Sequence, residues 1–176
     1  MKKLLFAVMF ACSVSALFAQ AGKVEVSFTY TKQSGFASNQ FAVWIEDAEG
    51  KLVKTLYATK YTANGGWQRR PLSIPIWVKQ SNLAEMDKAQ VDAVSGPTPR
   101  SGALKYTWDG TDSRGRALPA GEYTVYVEAT LRNENQVLYT AAVKLGGEST
   151  TVNAQARYSG NSAAERGMIG AVTVKY

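Results

Sequence analysis

Hydrophobic and polar positions alternate along most of this chain with a period of two, the spacing that sends successive side chains to opposite faces of a β-strand. In residues 23–31, KVEVSFTYT, Val24, Val26, Phe28 and Tyr30 share one face and Glu25, Ser27 and Thr29 the other. That pattern predicts a half-buried strand. A Gly/Ser/Asn stretch over residues 34–39 interrupts it, and residues 40–46 resume with Phe41, Val43 and Ile45 against Ala42 and Trp44. Glu49-Gly50 marks a turn, and residues 52–57 return as a partner strand, which predicts a hairpin. Strand character recurs over residues 136–145, 151–158 and 171–176.

The stretch 106–129, YTWDGTDSRGRALPAGEYTVYVEA, organises the rest. Tyr106 and Trp108 share a face of one strand, and Tyr123, Val125 and Val127 share a face of the next. Between them Asp109-Gly110, Gly115, Pro119 and Gly121 supply turn residues, so the stretch reads as a second β-hairpin. Residues 60–70 are polar and glycine-bearing around Gly65-Gly66-Trp67, and Pro71 and Pro75 argue against a central strand there. One short helix is predicted over residues 82–90, where Asn82 and Glu85 fit a capping box and Leu83 and Met86 stand three apart. Residues 91–102, VDAVSGPTPRSG, read as a constrained loop. About eight strands with short connections and one small helix close most naturally as an all-β, Ig-like antiparallel β-sandwich.

Residues 1–21 have the form of an export signal: Lys2 and Lys3, a mostly apolar run over residues 4–18, and Ala19-Gln20-Ala21 as a small-x-small cleavage site. The run is too short for a membrane span, so no transmembrane anchor is expected after cleavage. A lipid anchor on Cys12 is disfavoured, because Met9-Phe10-Ala11 is a poor lead-in and the apolar run continues past the cysteine. Residues 22–176 then form a single domain in the periplasm or outside the cell, lacking the chain's one cysteine and, since the chain holds no histidine, any imidazole. Ser-His-Asp and Cys-His nucleophiles and the usual zinc sites cannot be assembled from it. Losing Lys2 and Lys3 leaves 18 basic against 14 acidic residues, a net charge of +4. Only Arg69-Arg70 is a local basic pair, and nucleic acid is not an expected partner.

The segment WDGTDSRGRALPAGEYTVYVEA resembles the Ig-like domain of the flagellar hook-assembly scaffold protein, in which a W-D-G-x-D…G…(P)-x-G-x-Y-x-V arm recurs. With residues 41–56, the loop DAVSGPTPRSG and Val127-Glu128-Ala129 leading to Arg132, nearly all of the mature chain resembles the exported family called domain of unknown function 2271. The resemblance implies an exported domain associated with membrane redox or flavin-transfer systems. The family pattern has a histidine soon after the arginine that Arg132 matches; Asn133-Glu134-Asn135 stands here instead.

Asp92-Ala93-Val94-Ser95-Gly96-Pro97-Thr98 resembles the D-x-x-S/T-G-A-T signature of exported proteins on which a flavin transferase joins the phosphate of FMN to the final threonine. The resemblance makes Thr98 the acceptor, gives Gly96 the task of letting backbone approach phosphate, and has Asp92 position the loop. It departs at Pro97, which removes a backbone N–H and fixes φ. The bland alternative is that residues 95–99 form a rigid turn into the following strand. Asp109, Asp112 and Glu122 lack calcium-loop spacing and read as turn residues. Trp67, flanked by glycines and by Arg69 and Arg70, is expected to be the most exposed tryptophan and, with those arginines, to touch an envelope protein partner. Two readings therefore stand: a non-enzymatic binding or scaffold domain without cofactor, or an electron carrier with FMN on Thr98.

Overall fold

The computed structural model describes residues 22–34, 39–132, 135–160 and 167–176. The export signal with Cys12, most of the Gly/Ser/Asn break, and Asn133-Glu134 lie outside the described residues. The chain folds as a two-sheet sandwich. One sheet has the order β5 (Gly102–Trp108), β1 (Val24–Tyr30), β10 (Thr173–Lys175), β8 (Thr151–Asn153). The other runs β4 (Ser95–Gly96), β3 (Leu52–Thr59), β2 (Gln40–Glu46), β6 (Gly121–Arg132), β7 (Asn135–Leu145), β9 (Gln155–Tyr158). All pairings are antiparallel except β3 with β4, where Ala58 and Thr59 stand opposite Ser95 and Gly96 in parallel register. The described residues thus form ten strands rather than about eight: residues 151–158 divide at Ala154 and send β8 and β9 to different sheets, and Ser95–Gly96, expected in a loop, form β4.

The alternation seen in the sequence is the partition between the two sheets. Val24, Val26, Phe28 and Tyr30 of β1 meet Phe41, Val43 and Ile45 of β2 and Tyr123, Val125 and Val127 of β6 in one buried cluster. Phe28 and Phe41 pack edge to face at 5.8 Å between centroids, and Phe41 stacks on Tyr57 at 5.1 Å. Such pairs add about 0.5–1.5 kcal/mol each beyond the area they bury. Burial raises the hydroxyl pKa of Tyr30 and of Tyr57 to about 12, and a neighbouring tyrosine adds to the shift at Tyr57.

Residues 106–129 are not a hairpin. β5 pairs with β1 in the four-stranded sheet, whereas β6 lies between β2 and β7 in the other. The turn residues therefore carry the chain across the sandwich as an arch. Two strands that each bury one aromatic face are equally content facing each other through a core, and here the Trp108 and Tyr123 rings meet edge to face at 5.0 Å. The arch is rigid. Trp108 Nε1 donates to Thr111 O at 2.8 Å, and the Tyr123 hydroxyl to Pro119 O at 2.9 Å. Asp109 accepts from the N–H and hydroxyl of Thr111 and from Lys54, and Asp112 from the backbone N–H groups of Arg114 and Arg116. Desolvation pushes the Asp109 carboxyl up, but the bonds from Thr111 and Lys54 outweigh it and bring it to about 2.

The expected helix over residues 82–90 is displaced. Asn82, with φ 50° and ψ 45° just past helix α2 (Pro75–Gln80), starts only a single 3-10 turn, Leu83–Glu85, and its side chain makes no capping bond. The working capping box is Asp87 with Gln90, whose side chains bond each other's backbone N–H at 2.8 and 2.9 Å and start α3 (Lys88–Val94). A single turn, α1 (Trp67–Arg69), precedes α2. The three helices and their connecting turns occupy residues 60–94, between β3 and β4, and pack on the outer face of the six-stranded sheet. They form a second apolar cluster with Ala42, Trp44, Ala58, Ile74, Trp77, Leu83, Val91 and Leu138. This insertion explains why all seven residues of β2 are buried, the polar-face positions included.

Candidate functional site

An insertion laid on a sheet must satisfy the backbone it buries, and the sheet supplies the partners. Glu128 of β6 is fully buried, and its two carboxylate oxygens accept the N–H groups of Ile76 at 3.1 Å and Trp77 at 2.7 Å in the first turn of α2. Two residues along, the Thr130 hydroxyl accepts Ile74 N–H at 2.7 Å and donates to Leu72 O at 2.9 Å. Gln136 Nε2 reaches the same carbonyl at 3.0 Å. At the other end, Gln40 Oε1 accepts from the hydroxyls of Thr59 and Thr62 and from Thr62 N–H. Trp77 Nε1 donates to Thr55 Oγ1 at 3.1 Å. Ile74, buried, holds φ 43° and ψ 56°. A β-branched residue there costs on the order of 1–3 kcal/mol and persists only when its surroundings over-determine it.

The outer face of the insertion is different in kind. From residue 60 to residue 84 the chain carries Lys60, Arg69, Arg70 and Lys79 and no carboxylate. All four cations are exposed, and none is in an ion pair with a described residue. Among the described residues, the exposed large apolar side chains are Tyr61, 40% exposed, and Leu72, 44% exposed, both in this segment. The Arg70 guanidinium lies 5.3 Å from the centre of the Tyr61 ring. Gly66 is required beneath it, because a Cβ there would stand 2.2 Å from Tyr61 O and 2.7 Å from the ring. Lys60, Tyr61, Asn64, Gly65, Gly66, Gln68 and Arg69 line a cleft of about 470 Å³.

Trp67 is the most exposed of the four tryptophans, as expected, since Trp44, Trp77 and Trp108 are fully buried. It is half-buried and packs on the second apolar cluster, because the turn at Asn64 and Gly65 folds it back onto the sheet; Tyr61 takes the exposed position. Arg69 and Arg70 stand exposed as expected. The contribution of Glu128 and Thr130 was not legible: in a strand of period two both fall on the polar face, and only the insertion buries them. Pro75 at the first helical position, with Asn82 beyond the end, is the signal by which α2 could have been found.

The flavin-like segment sits at the β4 edge of the six-stranded sheet. Asp92 lies on α3 and pairs with Lys88 at 2.6 Å. That bond and the charge of Lys88 lower its carboxyl pKa, with Lys60 adding a little. Ser95 and Gly96 form β4 rather than a loop; the Ser95 hydroxyl is buried without a hydrogen-bond partner. The space a side chain at Gly96 would take is filled by the Tyr57 ring, 2.8 Å from the Cβ position, so this glycine is explained by packing. The Tyr57 hydroxyl donates to Pro97 O at 2.6 Å and fixes the turn that leaves Thr98 half-exposed between exposed Pro97 and half-exposed Pro99.

The oxygens of Asp109 and Asp112 are taken up by their own turns. Among the described residues no group of three or more carboxylates is arranged to hold a metal ion, and no helix is long and apolar enough to cross a membrane. A family model described as a predicted periplasmic protein (DUF2271) matches residues 21–162. Comparisons with curated proteins and with solved structures returned no match.

Glu128 gives the anchor a pH signature. Burial raises its carboxyl from 4.5 to about 7, against the opposing bonds from Trp77 and Ile76. Between those values the folded chain holds a proton that the unfolded chain has lost, so stability is greatest below about pH 4.5 and falls as pH rises to 7. The difference is about 3 kcal/mol. Glu128→Gln, neutral throughout, loses one acceptor for the α2 amides at a cost of about 1–3 kcal/mol. Urea denaturation is expected to show the gap between wild type and variant closing from pH 5 to pH 8; a constant gap contradicts the assignment.

Proposed function

The chain belongs to the DUF2271 family of predicted periplasmic proteins, whose model spans most of its length, and from that premise we propose that it is a non-enzymatic periplasmic binding or scaffold domain. The observation that carries this is the outer face of the insertion, where exposed Tyr61 and Leu72 and four exposed cations, none in an ion pair with a described residue, share a segment of 25 residues without a carboxylate. Exposed apolar side chains beside cations mark surfaces that meet a partner, and the clamp beneath lets them meet it without ordering cost. The described residues hold neither histidine nor cysteine, so imidazole and thiol chemistry have no part in this reading. A photo-cross-linking residue at exposed Gln68, in the native envelope, is expected to trap a protein that the same residue at exposed Thr107 on the opposite sheet does not. Identical products from both positions, or none from Gln68, contradict the reading.

One observation favours a second reading, that the domain carries FMN. Tyr57 fixes the Pro97 carbonyl, and the Thr98 hydroxyl beyond it is engaged by no described residue. Thr98 would hold the flavin through its phosphate, and the flavin would supply the electron-transfer chemistry. The intact mass of protein co-expressed with a flavin transferase decides it: this reading predicts a gain of one FMN that Thr98→Ala abolishes, and an unmodified mass ends it.

A further inference from the structure

We propose that the outer face of the insertion docks an acidic segment of another protein in which carboxylates alternate with large apolar residues. This rests on the binding reading above and names its partner by chemistry.

The charge argument comes first. Lys60 and Arg69 line the cleft of about 470 Å³, Arg70 stands beside it on Tyr61, and Lys79 borders a second hollow of about 300 Å³ with Pro75, Ile76 and Gln80. The first hollow is edged by Lys60 and Arg69 and the second by Lys79, and residues 60–84, which build both, hold no carboxylate, Asp92 on α3 being the acid within electrostatic reach of Lys60. An occupant with apolar groups and carboxylates side by side is complementary to that arrangement; a basic or neutral one is not.

The apolar component separates a protein segment from a small anion. All four cations are exposed, so a lone phosphate would be held only by screened, solvated charges, which gain little. Leu72 is 44% exposed, yet its carbonyl is tied down by Thr130 and Gln136. Its side chain is therefore presented at fixed backbone geometry, as an apolar anchor needs. Tyr61 offers no open platform for a sugar ring on the side the Arg70 guanidinium covers; its hydroxyl end and the amides of Asn64 and Gln68 suit the backbone and carboxylates of a peptide.

The test uses the mature chain and labelled 12-residue peptides: alternating Glu and Leu, Glu and Ser, and Lys and Leu. Inorganic phosphate and phosphatidylglycerol vesicles are titrated separately. The Glu/Leu peptide is expected to bind, the Glu/Ser peptide at least about tenfold more weakly, and the Lys/Leu peptide not measurably. Arg69→Glu with Arg70→Glu, both exposed, is expected to weaken the Glu/Leu peptide at least about tenfold with an unchanged urea midpoint, and Leu72→Ser about threefold to tenfold. Absence of peptide binding, equal binding of Glu/Leu and Glu/Ser, indifference to the arginine reversals, or binding of phosphate or vesicles in place of peptide would overturn the proposal. A Gln68 cross-link without peptide binding leaves the binding reading standing and removes the acidic partner; loss of both removes both.

Discussion

A carboxylate buried on the wrong side of a strand is the constraint from which the rest of this architecture follows. Glu128 points away from the core between the sheets, yet it is fully buried, because two backbone amides of α2 are brought to its oxygens. An unsatisfied buried amide costs about 1–3 kcal/mol, and a buried carboxylate without partners costs more. Neither the insertion nor the outer face of the sheet is therefore stable alone: each supplies what the other lacks. Thr130 extends the same logic by holding Ile74 in a left-handed conformation that its β-branched side chain disfavours.

The consequence is a sheet buried on both faces. β2 is the central case, with Phe41, Val43 and Ile45 in the cluster between the sheets and Ala42 and Trp44 in the cluster under the insertion. Trp44 stacks on Tyr126 at 5.0 Å and donates to Glu46 Oε1 at 2.8 Å, so even the polar end of the indole is satisfied beneath the helices. The cations and exposed apolar residues of the insertion thus stand on a backing as well packed as the sandwich core, which suits a surface that binds without rearranging.

The alternation of hydrophobic residues made β1, β2, β3 and β7 and the sandwich class legible, since a period of two has a direct meaning for a strand with one buried face. Pairing was less legible. Trp108 and Tyr123 mark two strands with aromatic inner faces, but that pattern is the same whether the strands lie side by side or opposite each other, and the turn residues between them serve an arch as well as a hairpin. The helix was misplaced because Asn82…Glu85 and Asp87…Gln90 share one sequence signature; what separates them is that Asp87 is extended and caps Gln90 N–H, whereas Asn82 is left-handed and makes no side-chain cap bond. Of the candidate sites, the arginine pair was legible as exposed charge. Glu128 was not, because its burial depends on an insertion some fifty residues earlier in the chain.

The central claim is that residues 72–80 are clamped to the six-stranded sheet as part of the folded core and not attached as a loose loop. Native-state hydrogen exchange reads this at Ile74, Ile76 and Trp77, whose amides end on Thr130 and Glu128. The account predicts that these three amides exchange as slowly as those of β2 and β6. Exchange at the rate of an exposed loop, with β2 and β6 still protected, would contradict it.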